Sequence, residues 1–186
     1  MSQPTQDLAE TWQPNLTWLT ECLAVGGSFP EEHAETLARK HGVRAVIDLR
    51  TEACDDEAVL RRHGVTFLHL PTDDHCAVDQ PMLRKGVAFV NRNLDRQERV
   101  LVHCQHGIGR SAILALCVLA SRGLEPLEAL ELAKSRRSLV SPSPAQYQAW
   151  TGWLRDWSHA HDVSWSVPTF AAFKAIAYRH LQAQGP

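Results

Sequence analysis

The sequence predicts an α/β fold: a central, mostly parallel sheet of about four to five strands flanked by helices, with an extra C-terminal helix. Three observations carry this. Short apolar runs alternate with segments of helical period over the first hundred residues, the pattern of parallel strands joined by crossover helices. Val100-Leu101-Val102 leads through a glycine-containing loop straight into Ala112-Ile113-Leu114-Ala115-Leu116, a buried strand, a loop and a buried helix in succession. Helical segments without strands fill the remainder.

Taken in order, residues 1–13 read as a flexible lead-in. Trp18-Leu19 through Leu23-Ala24-Val25 has strand character and stops at Gly26-Gly27. Pro30-Glu31-Glu32 opens a helix with early carboxylates, and Gly42 supplies its C-terminal stop. Val43–Leu49 is a strand, Asp55–His63 a short helix ending at Gly64, and Val65–Leu70 a strand broken by Pro71. A polar loop covers 71–80. Pro81–Gln97 is a helix, with Leu83, Val87, Val90 and Leu94 on one face. A strand at 99–103 leads to the glycine loop. Helices follow at 111–122, about 126–136, about 144–157 and about 168–182. The main domain is expected at 14–157, with 158–186 a linker and C-terminal helix packed on that domain or on a partner.

Composition narrows the function classes. A chain of 186 residues suits one domain with a substantial core. Nineteen basic against 21 acidic side chains imply no nucleic-acid-binding surface. Five scattered cysteines without Cys-x-x-Cys pairs argue for a reducing compartment and against a zinc site. Met1–Thr11 carries no apolar stretch, and the longest apolar run, Ala112–Ala120, is too short to span a bilayer. The cytoplasm is the expected compartment.

The chemistry lies in His103-Cys104-Gln105-His106-Gly107-Ile108-Gly109-Arg110-Ser111. A loop closing between a strand end and a helix N-terminus presents backbone N–H groups inward, at the positive end of the helix dipole, and so binds anions. Gln105, His106, Gly107, Ile108, Gly109 and Arg110 would line this phosphate cradle, with Cys104 at its floor. Gly107 and Gly109 let the amides turn inward. The N–H groups, the dipole and Arg110 all favour a Cys104 thiolate. Arg110 can grip two phosphate oxygens bidentately, and Ser111 can donate to the sulfur and ease its departure. The constellation asks for phosphoryl transfer. A Walker-type loop is excluded because no Gly-Lys-Ser/Thr is present. His103 is expected to be a structural hydrogen-bonding residue behind the loop.

Ester cleavage also needs a proton for the departing oxygen. Pro71-Thr72-Asp73-Asp74-His75, at the end of a neighbouring strand, offers Asp73, Asp74 and, further on, Asp79. Elsewhere, Tyr147, Trp150, Trp153, Leu154 and Trp157 read as core packing at helical spacing. Arg61-Arg62 and Arg136-Arg137 read as solvated surface, with framing of the substrate as the alternative, and Gln146 and Gln148 read as surface residues.

The His-Cys-x5-Arg-Ser loop at 103–111 resembles the signature of the cysteine-dependent protein tyrosine phosphatase superfamily, in its compact dual-specificity group. The likeness extends over about residues 15–157, including Gly26-Gly27, Ile47-Asp48-Leu49-Arg50 and the acid loop. Pro71-x-x-Asp74-His75 is similar to the spelling of the phosphoinositide-phosphatase branch, where the aspartate before the histidine is the acid; this favours Asp74. The resemblance implies a phosphatase-like fold and two-step catalysis through a phosphocysteine on Cys104, without metal or organic cofactor. Its substrates would be phosphorylated proteins, on tyrosine and also serine or threonine, with inositol polyphosphates or nucleotides as the alternative. A non-catalytic phosphate-binding module is a third reading, disfavoured by the intact Cys104, Arg110 and acid. The lysines expected of the phosphoinositide branch are missing, since Gln105, His106 and Ile108 hold the variable positions.

Overall fold

The computed structural model describes residues 12–182; the first eleven positions of the expected lead-in lie outside it. Trp12 stacks on His33 with ring centroids 4.3 Å apart, so the chain is already anchored there. Five strands form one sheet in the order β1-β2-β5-β3-β4: β1 (Leu16–Trp18), β2 (Leu23–Gly26), β3 (Val43–Arg50), β4 (Thr66–Thr72) and β5 (Arg99–His103). Only β1 runs antiparallel.

The expected single strand from Trp18 to Val25 is two strands. Leu19 N–H donates to the Leu23 carbonyl at 2.8 Å and Thr20 Oγ1 accepts from Leu23 N–H at 3.1 Å, turning the chain without glycine or proline. Pro71 does not break β4, which runs through it to Thr72. As the edge of the sheet, β4 tolerates a residue with no N–H to offer.

Alternation along the strands divides the core. Leu101 and Val46 face a smaller cluster closed by α1 (Ala34–Arg39) and α2 (Glu57–Arg62). Val100, Val102, Ala45 and Ile47 face the larger one, built with α3 (Gln80–Leu94), α4 (Arg110–Ser121), α5 (Pro126–Arg136) and α6 (Pro144–His161). α4 is buried from Arg110 to Ala120, a helix apolar all round because it runs between the sheet and other helices. α3 begins where Asp79 accepts from Met82 N–H, and buries Leu83, Val87 and Val90 as expected.

The Trp150 and Trp153 rings are buried in this core. The expected helix at 168–182 is two pieces, α7 (Phe170–Ala177) and α8 (Arg179–Gln182), separated at Tyr178. α7 lies against α5 and α6, and complete burial of Phe173 there is worth about 1.5–3 kcal/mol. No helix among the described residues is long and apolar enough to cross a membrane.

Candidate active site

β5 is the middle strand, and the loop leaving its carboxyl end enters α4 directly, the position where open α/β sheets bind ligands. The loop curls around the Cys104 sulfur. Ser111 Oγ lies 3.3 Å from Sγ, and Gly107 N–H donates to Sγ at 3.3 Å. Burial of Cys104 by itself pushes the thiol pKa up. The Ser111 hydroxyl and the backbone N–H groups of Ser111, Gly107 and His106 outweigh that and bring it below its ordinary 9.0. Gly107 has φ +69°, and a Cβ there would stand 2.6 Å from the Gly26 carbonyl, so glycine is required on both counts.

The N–H groups of His106, Gly107 and Ser111 are directed at the sulfur, and the loop's carbonyls are tied from behind. Arg137, expected at the surface, is buried: its Nε donates to Gly107 O at 2.8 Å and its Nη2 to His106 O at 2.8 Å. Nη2 and Nη1 also reach Asn15 Oδ1 (2.7 Å) and Thr17 Oγ1 (3.1 Å) on the β1 side. A guanidinium carries enough donors in one plane to hold all four acceptors. Ser28 N–H takes Gln105 O at 3.1 Å and Ser141 N–H takes Ile108 O at 3.0 Å. His103 stands behind the loop as expected, its Nε2 2.7 Å from Asp55 Oδ2.

Asp55 and Asp48 also hold Arg50, at 2.6 and 2.9 Å. Asp48, Asp55 and His103 have the composition of a metal site, but their donor atoms are engaged in this ion network.

Arg110 is nearly inaccessible, and its donors can be counted. Nη1 gives one bond to Glu52 Oε2 and one to the Thr72 carbonyl, both 2.8 Å; Nη2 gives one to Glu52 Oε1 at 2.7 Å. Of five N–H groups, that leaves the Nε–H and one Nη2–H, which lie along the same edge of the fork. Nε has no hydrogen-bond partner among the described residues, although it is buried. Asp74 Oδ1 lies 3.4 Å from it. The free edge is the bidentate face that suits two phosphate oxygens. Glu52 holds the opposite end, and its carboxyl, hydrogen-bonded by Arg110 against the cost of partial burial, falls from 4.5 to about 2.

The resulting cavity, about 180 Å³, is lined by Asp74, His75, Cys104, His106, Ile108, Gly109, Ser141 and Gln146. Asp74 is therefore in the site, half exposed. Asp79 is committed to capping α3, and Asp73, exposed, is not one of the residues that line the cavity. His75 adopts φ +60°, and its carbonyl accepts from Ser143 Oγ at 2.7 Å, which ties the acid loop to the start of α6.

Gln146, expected at the surface, is buried. Its Oε1 accepts from Ser143 N–H at 2.9 Å, completing a capping box, and its amide packs against Gly109, leaving no room there for a Cβ. Glu52 and Ser141 take part in the site although nothing in the local sequence marks them, as do Thr72, named only within the acid loop, and Arg137, which reads locally as a surface residue. Only Gln146 left a signal, in Ser143-Pro144-Ala145-Gln146.

Residues 27–158 match the model of the dual specificity phosphatase catalytic domain. Human dual specificity protein phosphatase 4 is 39% identical over 72 residues, which are 38% of this chain and 18% of that protein. The chain thus spans about a fifth of the curated relatives it matches. Among solved structures, PTPMT1 in complex with PI(5)P superposes with a TM-score of 0.74 at 24% identity, over 78% of this chain and 98% of that one. Tk-PTP in its active form gives 0.67 at 24% identity, over 80% and 99%. The chain belongs to the dual specificity phosphatase catalytic-domain family.

Proposed function

We propose that the chain is a cysteine-dependent phosphatase that hydrolyses phosphomonoesters of tyrosine, and also of serine or threonine, on proteins. The observation that carries this is the pairing of a Cys104 sulfur held by Ser111 and Gly107 with an Arg110 whose buried Nε makes no hydrogen bond among the described residues and stands 3.4 Å from Asp74 Oδ1.

Cys104 attacks phosphorus in line as thiolate. The P–O ester bond breaks, and the Asp74 carboxyl gives its proton to the departing oxygen. Arg110 and the inward amides of residues 105–110 follow the equatorial oxygens into the transition state. Water then attacks the phosphocysteine, passing its proton to the Asp74 carboxylate. The P–S bond breaks, and the sulfur recovers its electron pair under the Ser111 hydroxyl. No step requires a metal or an organic cofactor.

The family match and the lack of any lysine among the described residues that line the cavity support a phosphoprotein substrate over a highly charged one. The inositol-phosphate reading draws on the acid-loop spelling and on the likeness to PTPMT1, whose structure holds PI(5)P. The scattered cysteines, none in a disulfide among the described residues, support a reducing compartment, the cytoplasm.

Turnover of phosphotyrosyl and phosphothreonyl peptides, a soluble inositol phosphate, a phosphoinositide and a nucleotide at matched concentrations tests the reading, with Cys104→Ser as control. Peptide turnover that disappears in Cys104→Ser is expected. Turnover of the inositol compounds alone would replace the substrate assignment, and unchanged turnover in Cys104→Ser would overturn the mechanism.

A further inference from the structure

The family match ends at residue 158, yet the chain beyond it reaches back toward the site. The connection runs through the turn at 138–143, between α5 and α6. From one side, this turn holds both halves of the active site: Ser141 N–H donates to Ile108 O of the cradle at 3.0 Å, and Ser143 Oγ donates to His75 O of the acid loop at 2.7 Å. From the other side, the C-terminal helices hold the turn.

Tyr178, between α7 and α8, donates its hydroxyl to Pro142 O at 2.6 Å. Lys134 on α5 is almost fully buried, and its ammonium spends three donors on Ser138 O (2.6 Å), Val140 O (2.8 Å) and His180 Nδ1 of α8 (2.7 Å). An ammonium has only donors, so it requires three acceptors when buried. The turn supplies two carbonyls and the C-terminal segment supplies the third. Arg179 on Glu131 and the burial of Phe173 and Ala177 fix the same helices to α5 and α6.

We propose that Tyr178 and the Lys134–His180 pair are positioning residues for the reaction: through the 138–143 turn they hold the acid loop in register with the phosphate cradle. None of them touches the substrate. Their effect falls on the distance between Asp74 and the departing oxygen, because the link from Ser143 to His75 sits next to Asp74 in the chain. This rests on the reading of Asp74 as the acid.

Leaving-group dependence tests it without confusion from folding. Phenyl phosphate has a basic leaving group and needs the acid, whereas p-nitrophenyl phosphate leaves readily as an anion. Tyr178→Phe combined with His180→Leu is expected to lower kcat/KM, which reports only the steps up to departure of the leaving group, about tenfold for phenyl phosphate and less than about twofold for p-nitrophenyl phosphate. Ser143→Ala should show the same selective loss, and Ser143→Thr, which keeps the hydroxyl, should restore it.

Reduced folding would lower both rates equally, so equal losses, or no loss, overturn the inference. Asp74→Asn run alongside separates the two claims. If it lacks the selective loss, the acid assignment fails. If it shows the loss and the C-terminal variant does not, the positioning role fails.

Discussion

Glu52→Gln removes the carboxylate that grips the end of the Arg110 fork while keeping side-chain volume. Glutamine offers one acceptor where glutamate offers two, and its NH2 would face a guanidinium N–H. The fall of the Glu52 carboxyl from 4.5 to about 2 corresponds at face value to about 3 kcal/mol of preference for the ionised form. Arg110 is buried, but 44% of the Glu52 side chain is exposed, so solvent screening reduces the contribution to about 1 kcal/mol. Because the folded-state pKa is lowered, this stabilisation is fully present above pH 4.5 and is lost as pH falls toward 2.

A loss of about 1 kcal/mol lowers Tm at pH 7 by roughly 2–4 °C for a chain of this size. The difference between variant and parent should shrink below pH 4.5. With Arg110 held by the Thr72 carbonyl and a single uncharged glutamine acceptor, kcat/KM for a phosphate monoester should fall about tenfold. Thermal melts across pH and steady-state kinetics at pH 7 read both quantities. Unchanged Tm together with kcat/KM within about twofold of the parent would refute the reasoning and show that the charge and second oxygen of Glu52 are not needed to orient the fork.

Arg137→Lys keeps the charge but cannot span Gly107 O, His106 O, Asn15 and Thr17 together; it should cost roughly 2–3 kcal/mol in a denaturant titration and most of the activity. Parent-like stability and turnover would show that the loop carbonyls need no tie. Ser111→Ala removes the hydroxyl that helps to bring the Cys104 thiol below 9.0, so the midpoint of its alkylation by iodoacetamide should move to higher pH. An unmoved midpoint would assign the anion's stability to the backbone amides alone.

The parts legible in the sequence are those whose partners lie close along the chain. Cys104, Gly107, Arg110 and Ser111 lie within eight consecutive residues between β5 and the first turn of α4, so spacing alone is enough to bring them together. Asp74 follows the end of β4, which pairs with β3 and not, as expected, with the phosphate-loop strand β5, yet it still lines the cavity. Glu52 and Arg137 were not legible, because each meets its partner across the fold: Glu52 is 58 residues from Arg110, and Arg137 is 120 from Thr17. An arginine bound for a loop's back side reads locally like one bound for solvent.

The β1–β2 turn was missed for a different reason. Thr20 builds it with a side-chain hydrogen bond instead of the glycine or proline that marks most turns. The capping box spelled by Ser143 and Gln146 was present in the sequence; it locks Gln146 inward where composition suggested a surface position.

In the proposed mechanism the Cys104 sulfur carries the phosphoryl group between two chemical steps. Mass spectrometry of the peptide containing Cys104, after rapid acid quench of a reaction under saturating p-nitrophenyl phosphate, observes that species directly. One added phosphoryl group is expected on Cys104, absent in Cys104→Ser. Sustained turnover with no adduct on Cys104 at any quench time, or an adduct on another residue, would contradict it.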